Sequence, residues 1–201
     1  MISRISRGLS LVARPVVPVL AFIMIMVMVL SFQYAGPSVY AATPDENVVP
    51  LISRQYFQVV RAAMQHAKKS IICVFYEARL SPNHPFGGES LLLRGLISAA
   101  KRGVDVRVIL EGAPERNNKF VYDFLKNAGV NVSYDSDAMT THSSFIIIDE
   151  EWTIIGSHNW TVGAQRTNNE ASVVVRSKEV AKVLRDTFDH IPLKEAQEGE
   201  K

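Results

Sequence analysis

Between Thr141 and Val175 the chain reads THSSFIIIDEEWTIIGSHNWTVGAQRTNNEASVVV, and polar residues of catalytic type recur at the borders of its apolar runs. His142 precedes Phe145-Ile146-Ile147-Ile148 and Asp149 follows it. Gly156-Ser157-His158-Asn159-Trp160-Thr161 follows the run Trp152 to Ile155, and Asn169-Glu170 precede Ala171 to Val175. An imidazole keeps an unprotonated nitrogen at neutral pH and can attack an electrophilic centre. A carboxylate can orient that ring, while amide and hydroxyl donors stabilise charge on the oxygens of the centre attacked. Short apolar runs of this kind read as buried strands, and strand ends that converge on one edge of a sheet bring such side chains within reach of one another.

The spacing is similar to that of the phospholipase D superfamily, whose signature is H-x-K-x4-D, then G-S/G-x-x-N, then an N-x-E or N-E element. His142, the pair Ser143-Ser144, four apolar residues and Asp149 fit the first part. GSHNWT from Gly156 fits the second, and Asn169 with Glu170 the third. From about Leu51 to Ile191 the order of elements, with KRGVDVRVIL at Lys101 to Leu110, also resembles the small bacterial members that carry a single motif and are largely nucleases. One position departs: Ser144 stands where the family has lysine. The resemblance implies hydrolysis of a phosphodiester, in phospholipid or nucleic acid, through a covalent phosphohistidine and without metal or other cofactor. That chemistry uses two histidines, a nucleophile and an acid. A chain with one motif is therefore expected to form a homodimer in which His142 of each subunit meets across a two-fold axis.

A phosphodiester is anionic and resists attack, and the residue types suit that difficulty. His142 is the nucleophile, and Glu170 accepts its other ring N–H, fixing the tautomer and steadying positive charge as the bond forms. Asn159 and Ser157 donate to phosphate oxygens. Asp149, although grouped with the catalytic residues by the motif, reads as an acceptor that holds its own loop. Ser144 can offer the substrate one hydrogen bond but no positive charge, and His158 is the nearest replacement cation along the sequence. Two functions stay open at this stage: a phosphodiesterase slowed by Ser144, or a silent module that keeps the pocket to bind anionic lipid or nucleic acid.

The elements that must position these residues alternate. Leu51, Ile52, Tyr56, Val59, Val60, Ala63, Met64 and Ala67 recur at helical spacing, and Ser70 to Tyr76 is a buried strand. Leu80 to Gly88 is a loop, Glu89 to Arg102 a helix stopped by Gly103, and Val104 to Leu110 a strand. Asn118 to Asn127 is helical and Val130 to Tyr134 extended. Phe145 to Ile148 and Trp152 to Ile155 form a hairpin, Ala171 to Val175 the last strand, and Lys178 to His190 a closing helix. The fold class expected is α/β: a mixed sheet flanked by helices, the phospholipase D and nuclease sandwich, preceded by one hydrophobic segment.

Composition sets the rest. Of 201 residues 47% are hydrophobic, which suits one globular domain, and the single cysteine, Cys73, excludes a disulfide scaffold. Arg4, Arg7 and Arg14 lie in the first 41 positions with no acid, so the remainder carries 19 basic against 20 acidic residues and no general basic field for nucleic acid. Residues 1–41 read as a signal peptide or signal anchor built on the uncharged run Pro15 to Phe32. The flanking arginines favour export of the downstream chain, to a membrane-anchored, periplasmic or extracellular place. Residues 42–50 read as a linker, 51–192 as the domain and 193–201 as a polar tail. His66 and His190 read as solvated or capping residues, Trp152 and Trp160 as packing residues, and Glu77 as a partner of Arg79.

Overall fold

A computed structural model of the chain describes residues 47–80, 86–113 and 118–194. The N-terminal segment, residues 42–46 of the expected linker and residues 195–201 of the tail lie outside them. Seven strands form one sheet in the order β1-β7-β6-β5-β2-β3-β4. The strands are β1 Val48–Ile52, β2 Ser70–Phe75, β3 Asp105–Leu110, β4 Asn131–Tyr134, β5 Phe145–Ile148, β6 Trp152–Gly156 and β7 Ala171–Arg176. The helices are α1 Gln55–His66, α2 Gly88–Lys101, α3 Lys119–Asn127, α4 Val162–Arg166 and α5 Lys178–His190.

Strand β2 is buried along its whole length, and its alternation feeds two layers. Ile71, Cys73 and Phe75 pack into the larger core with α1, α2 and α3, while Ile72 and Val74 face a smaller core closed by Ala181 and Phe188 of α5. This is the helix-flanked mixed sheet expected from the sequence. β2, β3 and β4 run parallel, and β5, β6, β7 and β1 are joined to β2 and to one another by antiparallel pairs. The C-terminal ends of β1, β2, β3, β4 and β6 therefore share one edge of the sheet with the N-terminal ends of β5 and β7. Gly103 and Gly129 follow α2 and α3 with φ of +88° and +79°, the left-handed conformation that lets the chain turn out of a helix.

Three features differ from the sequence expectation. Leu51 and Ile52 belong to β1, which also takes Val48, Val49 and Pro50 from the expected linker and pairs with β7. Pro50 is tolerated within it because β1 is at the rim of the sheet, where one side of the ladder needs no donor. Ser53, at φ +48°, turns the chain from β1 into α1. Leu193 and Lys194, expected in the tail, join β4, with Leu193 bridged to Asp135 and the Lys194 N–H donating to the Tyr134 carbonyl at 3.0 Å. Helix α4, only five residues long and capped by Thr161 Oγ1, had no periodicity to announce it.

Candidate active site

The shared edge of the sheet collects most of the residues singled out by the motif. His142 and Ser144 enter β5, Ser157 and Asn159 leave β6, and Glu170 enters β7. His142 is exposed. Its ring lies against Tyr76 with centroids 4.1 Å apart, and it borders a cavity of about 580 Å³ whose lining includes Met139, Thr141, Val183, His190 and Ile191. Ser144 is half-buried, and its Oγ lies 3.5 Å from the Tyr76 N–H.

The loop that presents His142 is anchored through two buried carboxylates that the sequence did not single out. The Thr141 N–H donates to Glu111 Oε2 at 2.5 Å and to Asp135 Oδ2 at 3.1 Å, and Asp135 Oδ1 also accepts from the Gly112 N–H at 2.6 Å. Burial pushes the Glu111 carboxyl above the ordinary carboxylate range, with the adjacent Asp135 pushing the same way against the pull of the Thr141 N–H. Asn118, also buried, stitches the ends of β2 and β3 together. Its amide donates to the carbonyls of Tyr76 at 3.2 Å and Glu111 at 2.9 Å, and its Oδ1 accepts from the Ala78 N–H at 2.9 Å. Four of these six contacts join residues 23 to 42 positions apart, and the two shorter ones, Thr141 to Asp135 and Asn118 to Glu111, cross between elements, so no local pattern could have revealed them.

Glu170 is half-buried and uses both carboxylate oxygens near its own strand. Ser157 Oγ donates to Oε2, and Asn168 Nδ2 donates to Oε1 at 2.9 Å. The contact with His142 assigned to Glu170 from the sequence is not among these bonds. β6 lies between β5 and β7, which sets the two backbones about 10 Å apart. Ser157 is exposed, and its hydroxyl proton is committed to Glu170. Asn159 is half-buried between His158 and Trp160, both of them buried.

One expectation needs correction. His158 is 1% exposed and does not face the cleft. Its Nδ1 meets Ser172 Oγ at 2.7 Å, its Nε2 meets the Ser53 carbonyl at 2.9 Å, and its ring stacks on Tyr56 at 4.2 Å. It cannot serve as the replacement cation. Gly156 makes this packing possible, since a Cβ there would collide with Ser172 Oγ and stand 2.5 Å from the Ala171 carbonyl oxygen. Asp149 lies at the opposite edge of the sheet, seven residues along from His142 and so roughly 20 Å away at strand rise. Its carboxylate accepts the N–H groups of Lys68, Lys69 and Ser70, as a structural acceptor would.

The environment of His158 has a measurable consequence. Burial lowers its pKa, outweighing the Ser53 carbonyl and the field of Glu170, which favour the charged ring. The folded chain thus resists protonation that the unfolded chain accepts near pH 6.5. Stability from this group is fully present above that pH and is lost as pH falls toward the lower folded value. His158→Gln is expected to flatten the pH dependence of the urea midpoint below pH 6.5, read at pH 7.5 and 5.5. An unchanged slope would mean that the imidazole is not held neutral.

Comparison with known proteins gives four matches. A family model described as "Cardiolipin synthase, PLD-like domain" matches residues 60–192. The mitochondrial cardiolipin hydrolase of Canis lupus familiaris is 33% identical over 91 residues, 45% of this chain and 36% of that protein. The phospholipase D of Rickettsia bellii is 32% identical over 99 residues, 49% of each. The chain thus spans between about a third and a half of the length of these relatives. Among solved structures, Nuc from Salmonella typhimurium superposes with a TM-score of 0.61 at 23% identity, covering 72% of this chain and 93% of that one, a likeness of fold.

Proposed function

The chain belongs to the phospholipase D-like family, and on that premise we propose that it is a metal-independent phosphodiesterase in which His142 is the nucleophile. The observation that carries the proposal is the exposure of His142 beside a cavity, at the sheet edge it shares with Ser157, Asn159 and Glu170. An imidazole nitrogen of His142 bonds to phosphorus as the bond to the leaving oxygen breaks. That oxygen takes a proton from a second imidazole, supplied by His142 of another copy of the chain in a homodimer. Water then attacks phosphorus, gives its proton to the second imidazole, and the phosphorus–nitrogen bond breaks to restore the starting site.

Asn159 donates to a phosphate oxygen in this scheme, and Glu170 stands at the same edge of the sheet, held by Ser157 and Asn168. Ser144 leaves the site short of one positive charge and slows the reaction. The substrate is a phosphodiester, either of phospholipid, which the names of its relatives favour, or of nucleic acid, which the resemblance to the small single-motif members favours. Residues 1–41 export the domain or hold it at a membrane.

His142→Ala is expected to abolish hydrolysis of single-stranded DNA and of phosphatidylcholine in EDTA, whichever of the two the wild-type chain cleaves. Hydrolysis that survives the substitution would remove His142 from the mechanism. Sedimentation at micromolar concentration is expected to show a dimer, and monomer alone would remove the second imidazole. The absence of lysine at position 144 favours a second reading, a silent module that binds anionic lipid or nucleic acid without turnover. A wild-type chain that retains either ligand but cleaves neither would support it.

A further inference from the structure

Two buried carboxyl groups converge on one amide beside His142. Glu111 is 4% exposed and Asp135 1%. Each gives its outer oxygen to an N–H just past β3, Glu111 Oε1 accepting from Ala113 at 3.2 Å and Asp135 Oδ1 from Gly112 at 2.6 Å. The inner oxygens, Glu111 Oε2 and Asp135 Oδ2, both turn to the Thr141 N–H, at 2.5 and 3.1 Å. Gly112 admits the close approach, since a Cβ there would stand 3.2 Å from both the carbonyl oxygen and Oδ1 of Asp135.

One N–H cannot satisfy two anions. Carboxylates gathered on the same nitrogen out of water repel each other when both are ionised, and a single proton held between them removes one charge and adds a hydrogen bond. Among the described residues, Asp135 is the charge that bears on Glu111. The cations of neighbouring segments are engaged with other acids: Lys194 with Asp137 at 2.9 Å, Arg79 with Glu77 at 2.6 Å and Lys119 with Asp123 at 2.9 Å. The Tyr76 and His142 rings lie against each other, and Asn118 brings a neutral amide to the Glu111 carbonyl. The tether on Thr141 also stands alone. Among the described residues, its N–H is the only backbone group of residues 140–143 that makes a hydrogen bond.

We propose that Glu111 and Asp135 share one proton and are positioning residues for His142: the proton keeps both carboxyl groups on the Thr141 N–H, and its loss drives them apart and frees the loop that carries the imidazole. Neither residue touches the phosphodiester. Burial, with Asp135 adding to it, raises the Glu111 carboxyl. A carboxyl that the fold holds protonated steadies the loop fully below about pH 4.3, the ordinary glutamate value, and loses that effect as pH rises through its raised folded value. That the release changes a reaction rate rests on the phosphodiesterase reading; the shared proton does not.

The test uses the full chain, labelled with carbon-13 and nitrogen-15, as wild type and as Asp135→Asn. The asparagine keeps Oδ1 for the Gly112 N–H and sets an N–H that does not titrate where the shared proton lies. In wild type, the side-chain carboxyl carbons of Glu111 and Asp135 are expected to report one proton retained above the ordinary carboxylate range and lost in a step common to both. Protection of the Thr141 amide against hydrogen exchange, corrected for its intrinsic rate, is expected to fall about tenfold or more through that step and to stay level in Asp135→Asn. Both carboxyl groups ionising below about pH 5, a result that needs no variant to fold, or equal loss of Thr141 protection in the two chains, would overturn the proposal. The ratio of kcat in Asp135→Asn to that in wild type is expected to rise by a similar factor through the step while the ratio of KM stays flat, a comparison that cancels the imidazoles common to both chains. A chain that shows the step but hydrolyses nothing keeps the shared proton and sinks the phosphodiesterase reading. One that hydrolyses with a flat kcat ratio sinks the positioning role alone.

Discussion

Ser144→Lys is expected to raise the rate of bis-(p-nitrophenyl) phosphate hydrolysis by about 10²- to 10³-fold, the usual worth of one preorganised donor to a developing oxyanion. The register supports an effect of that size. Phe145 pairs with Val74, so residue 144 enters the site beside the end of β2, and its hydroxyl faces the Tyr76 N–H at 3.5 Å. A lysine there would bring an ammonium toward the phosphate oxygens that attack by His142 loads with charge. No other cation takes its place within the motif, because His158 is buried with both ring nitrogens engaged. The measurement is a comparison of wild-type, Ser144→Lys and Ser144→Ala chains in EDTA. An equal rate for all three, with His142→Ala inactive, would show that the missing charge is not what limits turnover. A gain in the lysine chain that His142→Ala then abolishes would tie the charge to the histidine step.

Periodicity carried much of this picture and failed where contacts are distant. Phe145 to Ile148 is an unbroken apolar run followed by three acidic residues, and it forms one arm of a hairpin as its pattern requires. Val48 to Ile52 has equal β character, but it straddles the border between the expected linker and the expected first helix, and only its pairing with β7 shows a strand at the rim, where proline is harmless. The candidate site follows the same rule. His142 and Glu170 were legible because each borders an apolar run. The orientation of His158 was not, since Ser53, Tyr56 and Ser172, which determine where its ring goes, come from other elements. Glu111 and Asp135 were illegible for a similar reason, because their shared hold on Thr141 arises only when β3, β4 and the loop before β5 meet.

Asp149→Ala is expected to lower folding stability by about 2–4 kcal/mol, since hydrogen bonds to a charged group are worth about 1.5–3 kcal/mol each and Lys68 and Lys69 recover part of theirs from water. The carboxylate receives three consecutive N–H groups at 2.7 to 3.1 Å, tying the start of β2 to the turn between β5 and β6. The turn adds its own demand. Asp149 and Glu150 have φ of +53° and +61°, and the Glu151 N–H closes it onto the Ile148 carbonyl at 3.2 Å, a pair of left-handed residues that alanine tolerates poorly. Asp149→Asn keeps an acceptor and a side chain suited to that conformation, and its loss should be about half as large. The charge also sets an acid limit. Burial raises the Asp149 pKa, but the three backbone donors outweigh burial and hold it below the ordinary value. Stability from this group is therefore present above about pH 3.9, the unfolded value, and is lost as pH falls through the lower folded one. Denaturant titrations of the three chains between pH 7 and pH 3 would show wild type converging on the asparagine variant at the acid end. Hydrolysis by Asp149→Asn at neutral pH should equal that of wild type, because this residue and His142 stand at opposite edges of the sheet. An asparagine chain as stable as wild type but inactive would place Asp149 in the chemistry after all.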